Sequence, residues 1–213
     1  MRISELGRAS GVAIPTVKYY LREGLLRPGE ATAWNQAEYS EEHVRRLRLI
    51  RALAEIGGLK LRDIRAVLDA IDRERLSIHD LLGVAHHALG PAASEDDRSR
   101  EARQARKEVD RFIAVLGWRV SRDAPARRTL ARVLLTLREM GWEAGPELFE
   151  PYARAVEGLA RREVGAVDSG GSRTEAVHQA VVGTIVFEPA LLALRRLAQE
   201  HHSALAFGKR RRR

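Results

Sequence analysis

The sequence predicts a mainly α-helical fold with one small β-hairpin, and three observations lead to this prediction. Apolar residues recur at intervals of three, four and seven along most of the 213 residues, which is the spacing of one buried helix face. Glycines and prolines divide these periodic stretches into segments of helix length. A single stretch, residues 27–38, has no helical period and contains turn-forming residues. We interpret that stretch as a loop or short hairpin.

The first two predicted helices lie within residues 3–26 and are joined by a tight turn. In the first helix Ile3 and Leu6 lie three residues apart, and Ser4 is available to cap its start. Gly11 can adopt the left-handed conformation that ends a helix. Two short helices around such a turn form a helix-turn-helix.

The second of these helices has an apolar stripe and a polar face. Ile14, Val17 and Leu21 recur at i, i+3 and i+7, so they form the buried stripe. The polar residues are Thr16, Lys18, Tyr19, Tyr20 and Arg22. Their hydroxyl, ammonium, phenol and guanidinium groups suit contact with phosphates and base edges. Either tyrosine could instead be a half-buried packing residue with a solvated hydroxyl.

A third helix is predicted after Ser40, which caps a first turn rich in acidic residues. Its buried face is formed by Val44, Leu47, Ile50 and Ala54. The opposite face carries four arginines, of which we expect Arg45 and Arg46 to contact the DNA backbone. A solvated charged face is the alternative interpretation. Gly57 and Gly58 end this helix, and apolar residues at helical spacing define another over residues 61–71.

Residues 1–72 contain the run TVKYYLREGLL, a loop, and then the run YSEEHVRRLRLIRALAEIGGLKLRDIRAVL. In the order and spacing of these runs, the segment resembles the MerR family of transcriptional regulators. The resemblance implies a winged helix-turn-helix in which residues 14–23 form the recognition helix. It places Thr16, Lys18, Tyr19 and Arg22 at positions that the family uses for DNA. Lys18 stands where the family usually has arginine.

The predicted wing, residues 27–38, departs from the family pattern. The family commonly has basic residues close before the tyrosine, whereas this chain has Gln36, Ala37 and Glu38. Contact between the wing and the DNA backbone would then fall to Arg27, Asn35 and main-chain amides. Trp34 is interpreted as packing on its own domain, with contact to a DNA sugar as the alternative.

The remaining residues predict a linker and a helical domain. Residues 73–97 are a connecting helix, over residues 77–89, and a polar linker interrupted by Gly90 and Pro91. Residues 98–207 form the helical dimerisation and effector-binding domain, and residues 208–213 are a basic tail. The sequence places helices at residues 94–120, 124–141, 146–164, 173–188 and 189–207, with a capping box at residues 172–175. Residues 94–120 are the candidate dimer helix, although their apolar stripe could equally meet their own domain.

Charge and composition limit the possible classes of protein. The net charge of +8 consists of +3 in residues 1–75, zero in residues 76–208 and +5 in residues 209–213, so the excess lies in the DNA-binding unit and the tail. The chain has no cysteine, which excludes thiolate catalysis, a disulfide framework and a cysteine zinc site. No secretory signal and no apolar stretch of membrane-spanning length are expected, so we predict a cytoplasmic protein.

The helical domain resembles, in layout only, the ligand-binding domains of TetR-type regulators. If it contains a pocket, the candidate lining residues are Phe112, Trp118, Trp142, Phe149, Tyr152 and Phe187. Aromatic residues at helical spacing are more often ordinary core residues. No catalytic motif, metal site or cofactor is predicted, because phosphate loops, GxSxG and HExxH are absent.

The predicted function is that of a homodimeric transcriptional regulator on a near-palindromic operator. The family resemblance adds RNA polymerase as a functional partner, and we expect a small apolar effector to control the protein. Two other functions remain open. The helical domain could be only a platform for dimerisation and partners, in a ligand-independent or architectural DNA-binding protein, or the chain could be an enzyme fused to a DNA-binding domain.

Overall fold

Helices dominate the structure, a computed structural model that describes residues 1–33, 36–73, 75–90, 99–167 and 173–208. The predicted fold class is confirmed: a helical protein in which one two-stranded antiparallel hairpin follows the first two helices. The elements are α1 (Ile3–Ser10), α2 (Ile14–Arg22), β1 (Glu30–Ala33), β2 (Gln36–Glu38), α3 (Glu41–Arg51), a π-helical segment (Ala52–Ile56), α4 (Leu61–Asp72), α5 (Ile78–Leu89), α6 (Arg100–Val115), α7 (Pro125–Glu139), a 3-10 turn (Pro146–Phe149), α8 (Glu150–Gly165) and α9 (Arg173–Phe207).

The helix-turn-helix has the predicted turn and a small core of its own. Gly11 has φ +71°, a left-handed conformation that a glycine adopts without a steric penalty. Leu6 and Val17 are fully buried and bring α1 and α2 together over α3. This first core consists of Leu6, Val12, Val17, Leu26, Tyr39, Val44 and Leu47.

The wing is a short hairpin that is anchored at its base. β1 pairs antiparallel with β2, with Glu30 opposite Glu38. Tyr39, which follows β2, is buried, and its carbonyl oxygen accepts a 2.8 Å hydrogen bond from the amino group of Met1. Trp34 and Asn35, for which a packing role and a DNA contact were predicted, lie outside the described residues.

A second core joins the DNA-binding unit to the far end of the chain. Leu53 and Leu68 pack with Leu81 of α5 and with Val181 and Ile185 of α9. All five side chains are at most 1% exposed. The first half of α9 therefore completes a core that α3, the π-helical segment and α4 begin. The segmentation into residues 1–72 and 98–207 did not anticipate this contact.

The candidate dimer stripe on residues 94–120 is buried within its own chain. Ala105, Val109 and Ile113 of α6 pack on Ala131 and Leu134 of α7. Two ion pairs join these two helices. Nη2 of Arg138 lies 2.5 Å from Oε2 of Glu108, and the hydrogen bond from the guanidinium lowers the pKa of that carboxyl group. Nη1 of Arg127 lies 2.6 Å from Oδ1 of Asp110.

The structure corrects the predicted end of the chain in two respects. The two helices predicted at residues 173–188 and 189–207 are one 35-residue helix, α9, which continues through Pro189. Val177, Val181 and Ile185 are buried as predicted, but the leucines beyond Pro189 are exposed. The exposed residues predicted to point inward are Leu191, Leu194, Leu197 and Leu205, together with Ile14 of α2, Val133 of α7 and Leu148, Tyr152 and Leu159 on or next to α8. The capping box at residues 172–175 begins outside the described residues.

One further expectation was wrong. By length and composition, residues 175–207 of α9 could cross a membrane, although no apolar stretch of that length was expected. The reason is that α9 carries one charged residue, Glu188, between Glu175 and Arg195. Part of its apolar surface is occupied by the core shared with α5, so length and composition alone overstate its hydrophobic exposure.

Candidate nucleic-acid interface and helical groove

The recognition-helix candidate α2 turns its cations to solvent. Val17 is fully buried beneath the helix, whereas Lys18 and Arg22 on the other face are exposed. The guanidinium carbon of Arg22 lies 5.4 Å from the ring centroid of Tyr19, a distance typical of a cation-π contact. Thr16 is half-buried at the edge of this face. Among the residues predicted for α2, these four share one accessible surface.

Tyr20 is a partly buried packing residue of the DNA-binding unit. Its ring packs against both hydrophobic cores of the DNA-binding unit and lies 5.8 Å from the ring of Tyr19. Burial, and secondarily the charge of Glu55, raises the pKa of the Tyr20 phenol. This packing is the alternative role that the sequence left open for Tyr20, and its contact with DNA stays a prediction.

The turn before α2 is held from behind by two arginines of α3. Nη2 of Arg48 donates a 2.8 Å hydrogen bond to the carbonyl oxygen of Ala9. A Cβ atom at Gly11 would lie 2.7 Å from Nη1 of Arg51, so a larger residue there would displace the guanidinium group. These contacts satisfy a carbonyl group at the end of α1 and fix the angle at which α2 leaves it.

Arg46 is bonded within the protein, and its predicted contact with DNA stays a prediction. Its Nη1 and Nη2 atoms each lie 2.8 Å from a carboxylate oxygen of Asp72, and its Nε donates to the carbonyl oxygen of Leu25 at 2.6 Å. Its side chain is only 15% exposed. A guanidinium group that is paired with a carboxylate and a carbonyl in this way is a structural clamp between α4 and the loop after α2.

Arg27 and Arg45 remain exposed, with different neighbours. Nη2 of Arg27 lies 3.6 Å from Asp72, and 65% of its side chain is accessible. Arg45 lies near α9, where its charge, after burial, contributes to lowering the pKa of His178. Their contact with DNA stays a prediction, as does that of Asn35, which lies outside the described residues.

The helical half contains a groove of about 940 Å³ between α5, α8 and α9. Its walls are mainly aliphatic and include Val156, Leu159, Val182 and Leu191. Nε2 of His178, which lines the same groove, has no hydrogen-bond partner among the described residues. A mainly apolar wall with a few polar groups is the usual composition of a small-molecule site.

The six predicted aromatic residues do not converge on this groove. Phe187 lines it. Phe112 and Phe149 instead form an edge-to-face pair 6.4 Å apart beside the core of α6 and α7, where Trp118 also packs. Trp142 is 60% exposed and Tyr152 is 54% exposed, the latter with Arg195 above its ring. Sequence reasoning missed the aliphatic walls because it counted only aromatic residues, although regularly spaced valines and leucines marked the same faces.

The exposed cations of α2, a preceding helix and a hairpin that follows together define a winged helix-turn-helix, the class of fold that inserts a helix into duplex DNA. Among the described residues, no three histidine or acidic side chains come close enough to hold a metal ion. Residues 1–71 match the model of the MerR helix-turn-helix family of regulatory proteins. Residues 1–71 are therefore a MerR-family helix-turn-helix domain.

Individual proteins similar to this chain match it over different lengths. The nodulation protein NolA of Bradyrhizobium sp. (strain NC92) is 40% identical over 38% of this chain and 32% of its own length. The mercuric resistance operon regulatory protein of Bacillus cereus is 35% identical over 38% of this chain and 60% of its own. The ZntR homolog of Haemophilus influenzae, an HTH-type transcriptional regulator, is 33% identical over 32% of this chain and half of its own length.

The chain thus spans about a third to three fifths of these curated relatives. The relatives whose names state an activity are regulators and not enzymes, in agreement with the sequence prediction. A solved structure reaches further. The crystal structure of SCO5550 from Streptomyces coelicolor A3(2), assigned as a transcriptional regulator, is 39% identical and covers 98% of both chains with a TM-score of 0.76.

Proposed function

We propose that this protein is a cytoplasmic, homodimeric transcriptional regulator that binds a near-palindromic operator through α2. The observation that carries the proposal is the exposed face of α2, where Lys18 and Arg22 stand over a buried Val17 within a MerR-family module. Two such helices related by a two-fold axis would enter successive major grooves. RNA polymerase is the functional partner by family resemblance.

The test of DNA binding uses Lys18→Ala and Arg22→Ala. Duplexes selected by the wild-type protein from a random pool serve as the operator, and fluorescence anisotropy measures affinity. Because both side chains are exposed, we expect unchanged circular dichroism and an operator affinity lower by at least about tenfold. Arg132→Ala, which removes an exposed arginine of α7, is the matched control. Wild-type affinity in both α2 variants would contradict the proposal.

We propose further that a small, largely apolar effector occupies the groove between α5, α8 and α9. The volume and aliphatic walls of the groove support this proposal, and His178 offers a polar atom for orientation. An effector with different affinities for two states of the dimer would bias DNA distortion, and so switch transcription. A platform without an effector, serving dimerisation and partners alone, is the second candidate and would leave the groove unused.

A pair of glycine variants separates these two candidates. A Cβ atom at Gly183 would meet Phe187 at 3.7 Å, an ordinary contact, so Gly183→Leu should fill part of the groove without a clash. Gly158 of α8 lies in open space outside the groove, and Gly158→Leu is the control. We expect thermal-shift hits from an apolar metabolite panel to disappear in Gly183→Leu only. A panel without hits would favour the platform.

A further inference from the structure

The start of α2 presents three successive apolar residues to solvent. Ala13, Ile14 and Pro15 are all exposed, and Ile14, which the sequence predicted to lie in the buried stripe of α2, is 38% exposed. Single exposed apolar residues are common on protein surfaces and need no partner. Here three follow one another at the start of the helix proposed to enter DNA. We call residues 13–15 the apolar tip.

The apolar tip continues the helix face that carries the cations of α2. Pro15 lies three residues before Lys18 and seven before Arg22, and residues at these intervals lie on one side of a helix. Ile14 lies four residues before Lys18 and is therefore its neighbour as well. A helix that turns Lys18 and Arg22 toward DNA brings the apolar tip to the same surface.

The tip is also held in place by the helix before it. A Cβ atom at Gly7 of α1 would lie 3.5 Å from Cγ1 of Ile14, so one side of Ile14 lies close to the backbone of α1 while the other side is in solvent. The hydrogen bond from Arg48 to the carbonyl oxygen of Ala9 fixes the end of the same helix. The tip therefore loses little conformational freedom when it binds, which favours affinity.

The chemistry of these side chains limits what they can recognise in DNA. The side chains of alanine, isoleucine and proline contain neither a hydrogen-bond donor nor an acceptor. The edges of guanine, cytosine and adenine in the major groove display polar groups, and burying a polar group against an apolar side chain is unfavourable. Thymine also displays a C5 methyl group there. Contact with this methyl group is the favourable interaction open to the tip.

We infer that the apolar tip reads thymine, by packing Ile14 and Pro15 on a C5 methyl group in each half-site of the operator. The first residues of a recognition helix are those that contact base edges. The inference rests on the DNA binding of the proposed function and identifies one part of its sequence preference. Lys18 and Arg22 attract phosphates and polar base edges, whereas the tip discriminates between base pairs at one position.

A protein partner fits the tip less well than a base does. Three small and medium-sized side chains offer far less than the roughly 800 Å² per partner that a stable protein interface buries. The neighbouring cations also favour the anionic walls of a DNA groove over a second apolar surface. A single methyl group on the floor of the groove matches the size of the tip.

The first experiment removes thymine methyl groups from the operator one position at a time. Each thymine of the selected duplex is replaced, in one half-site or in both, by deoxyuridine, which lacks only the methyl group, and fluorescence anisotropy measures affinity. At the thymine under the tip we expect a loss of about fourfold for one half-site and about 15-fold for both. 5-Bromodeoxyuridine, whose bromine occupies a similar space to the methyl group, should restore most of the affinity.

The second experiment assigns the sensitive methyl group to the tip. Serine is too small and too polar to cover a methyl group, so Ile14→Ser combined with Pro15→Ser should respond less than about twofold to the deoxyuridine substitution. Val133→Ser is the matched control, because Val133 is an aliphatic residue of α7 with a similar exposure of 40%, and it should keep the full loss. Circular dichroism checks folding. If the double variant does not fold, Pro15→Ser alone, which changes an exposed side chain, should still reduce the loss.

The outcomes separate this inference from the proposed function. A wild-type protein that is insensitive to every deoxyuridine substitution would overturn the reading of thymine and leave DNA binding standing, since Lys18→Ala tests that binding independently. An equal loss in the wild type and the serine variants would also overturn it, because another group would then contact the methyl group. A loss that bromine does not restore would indicate altered DNA shape in place of contact. Failure to select any duplex would overturn the proposed function and this inference together.

Discussion

Asp72 at the end of α4 determines how two arginines of the DNA-binding unit are used. It accepts both terminal nitrogens of Arg46 at 2.8 Å and lies 3.6 Å from Arg27. The side chain of Arg46 is 15% exposed and that of Arg27 is 65% exposed, whereas the shared Asp72 is 31% exposed. A phosphate can therefore compete with Asp72 for Arg27 but hardly for Arg46.

This difference gives a stability prediction. Arg46→Ala removes the donor to the carbonyl group of Leu25 and the partner of Asp72. We expect it to lower the free energy of unfolding by about 1–3 kcal/mol in urea titrations. Arg62→Ala is the control, since its side chain is 83% exposed and its ion pair with Asp63 is solvated. A similar loss in both variants would contradict the clamp.

The sequence predicted the exposure of the cationic side chains of α2, but not the ion pair made by Arg46 of α3. Lys18 and Arg22 could be placed because a helix with Val17 inside must turn them outward. The ion pair of Arg46 could not be predicted, because Asp72 lies 26 residues away and a charged helix face gives no sign of such a partner. Tyr20 was ambiguous for a related reason, since a phenol suits both packing and solvent.

At the scale of elements, the contact between α9 and the π-helical segment is unusually close. A Cβ atom at Gly57, just after that segment, would lie 2.5 Å from Cγ2 of Ile185 and 2.8 Å from the carbonyl oxygen of Leu53. No such obstacle exists at Gly83 of α5, which has nothing within 4 Å of the same position. Gly57 therefore permits α9 to dock on the DNA-binding unit.

Two alanine substitutions test this contact. Gly57→Ala should lower the free energy of unfolding by about 1–3 kcal/mol, because the backbone or Ile185 must move. Gly83→Ala should raise it by about 0.5–1 kcal/mol, since alanine is the better helix former and meets no clash. Both are measured by chemical denaturation. Opposite signs support the docking contact, and stabilisation by Gly57→Ala would contradict it.

The packing of α5 against α9 predicts a pH dependence. Burial lowers the pKa of His86 in α5, a shift that Glu188 partly opposes and His87 increases. Burial also lowers the pKa of His178 in α9, and the charge of Arg45 adds to that shift. The fold thus favours the neutral imidazoles. Their contribution to stability is complete above their ordinary pKa of 6.5 and is lost as the pH falls below it.

We therefore expect the urea concentration at the midpoint of unfolding to decrease as the pH is lowered from about 7.5 to about 5.5. Replacing His86 and His178 together with glutamine should flatten this dependence. His201→Gln, on the exposed half of α9, is the control and should leave the slope unchanged. An equal slope in the double variant would show that other groups control stability in this range.

The helix boundaries illustrate what periodicity can and cannot predict. The ends of α5 and α7 were anticipated within about three residues, because glycine or proline lies there. Pro189 was interpreted as a boundary, yet α9 continues through it. A proline removes one hydrogen bond, and the run of good helix formers after it, together with the core packing of Val181 and Ile185 before it, can outweigh that loss. Burial of α8 and late α9 was overestimated because an apolar stripe does not reveal which chain covers it.

For the whole molecule, the proposed dimer predicts how strongly the affinity for DNA depends on salt concentration. Lys18→Ala removes two phosphate contacts per dimer, so the slope of log affinity against log salt should fall by about two. Anisotropy titrations from about 50 to 200 mM salt measure this change. Arg132→Ala should keep the wild-type slope. A fall of one would instead indicate that a single recognition helix engages DNA.

The core that α9 completes has a consequence for protein engineering. Regulators are often recombined by grafting a DNA-reading module onto a foreign sensor. Here a cut after residue 72 would strip Val177, Val181 and Ile185 from Leu53 and Leu68, and the transplanted module would present a bare apolar patch prone to aggregation. A working chimera would have to carry the first turns of α9 along with the module, although they lie a hundred residues away in the sequence.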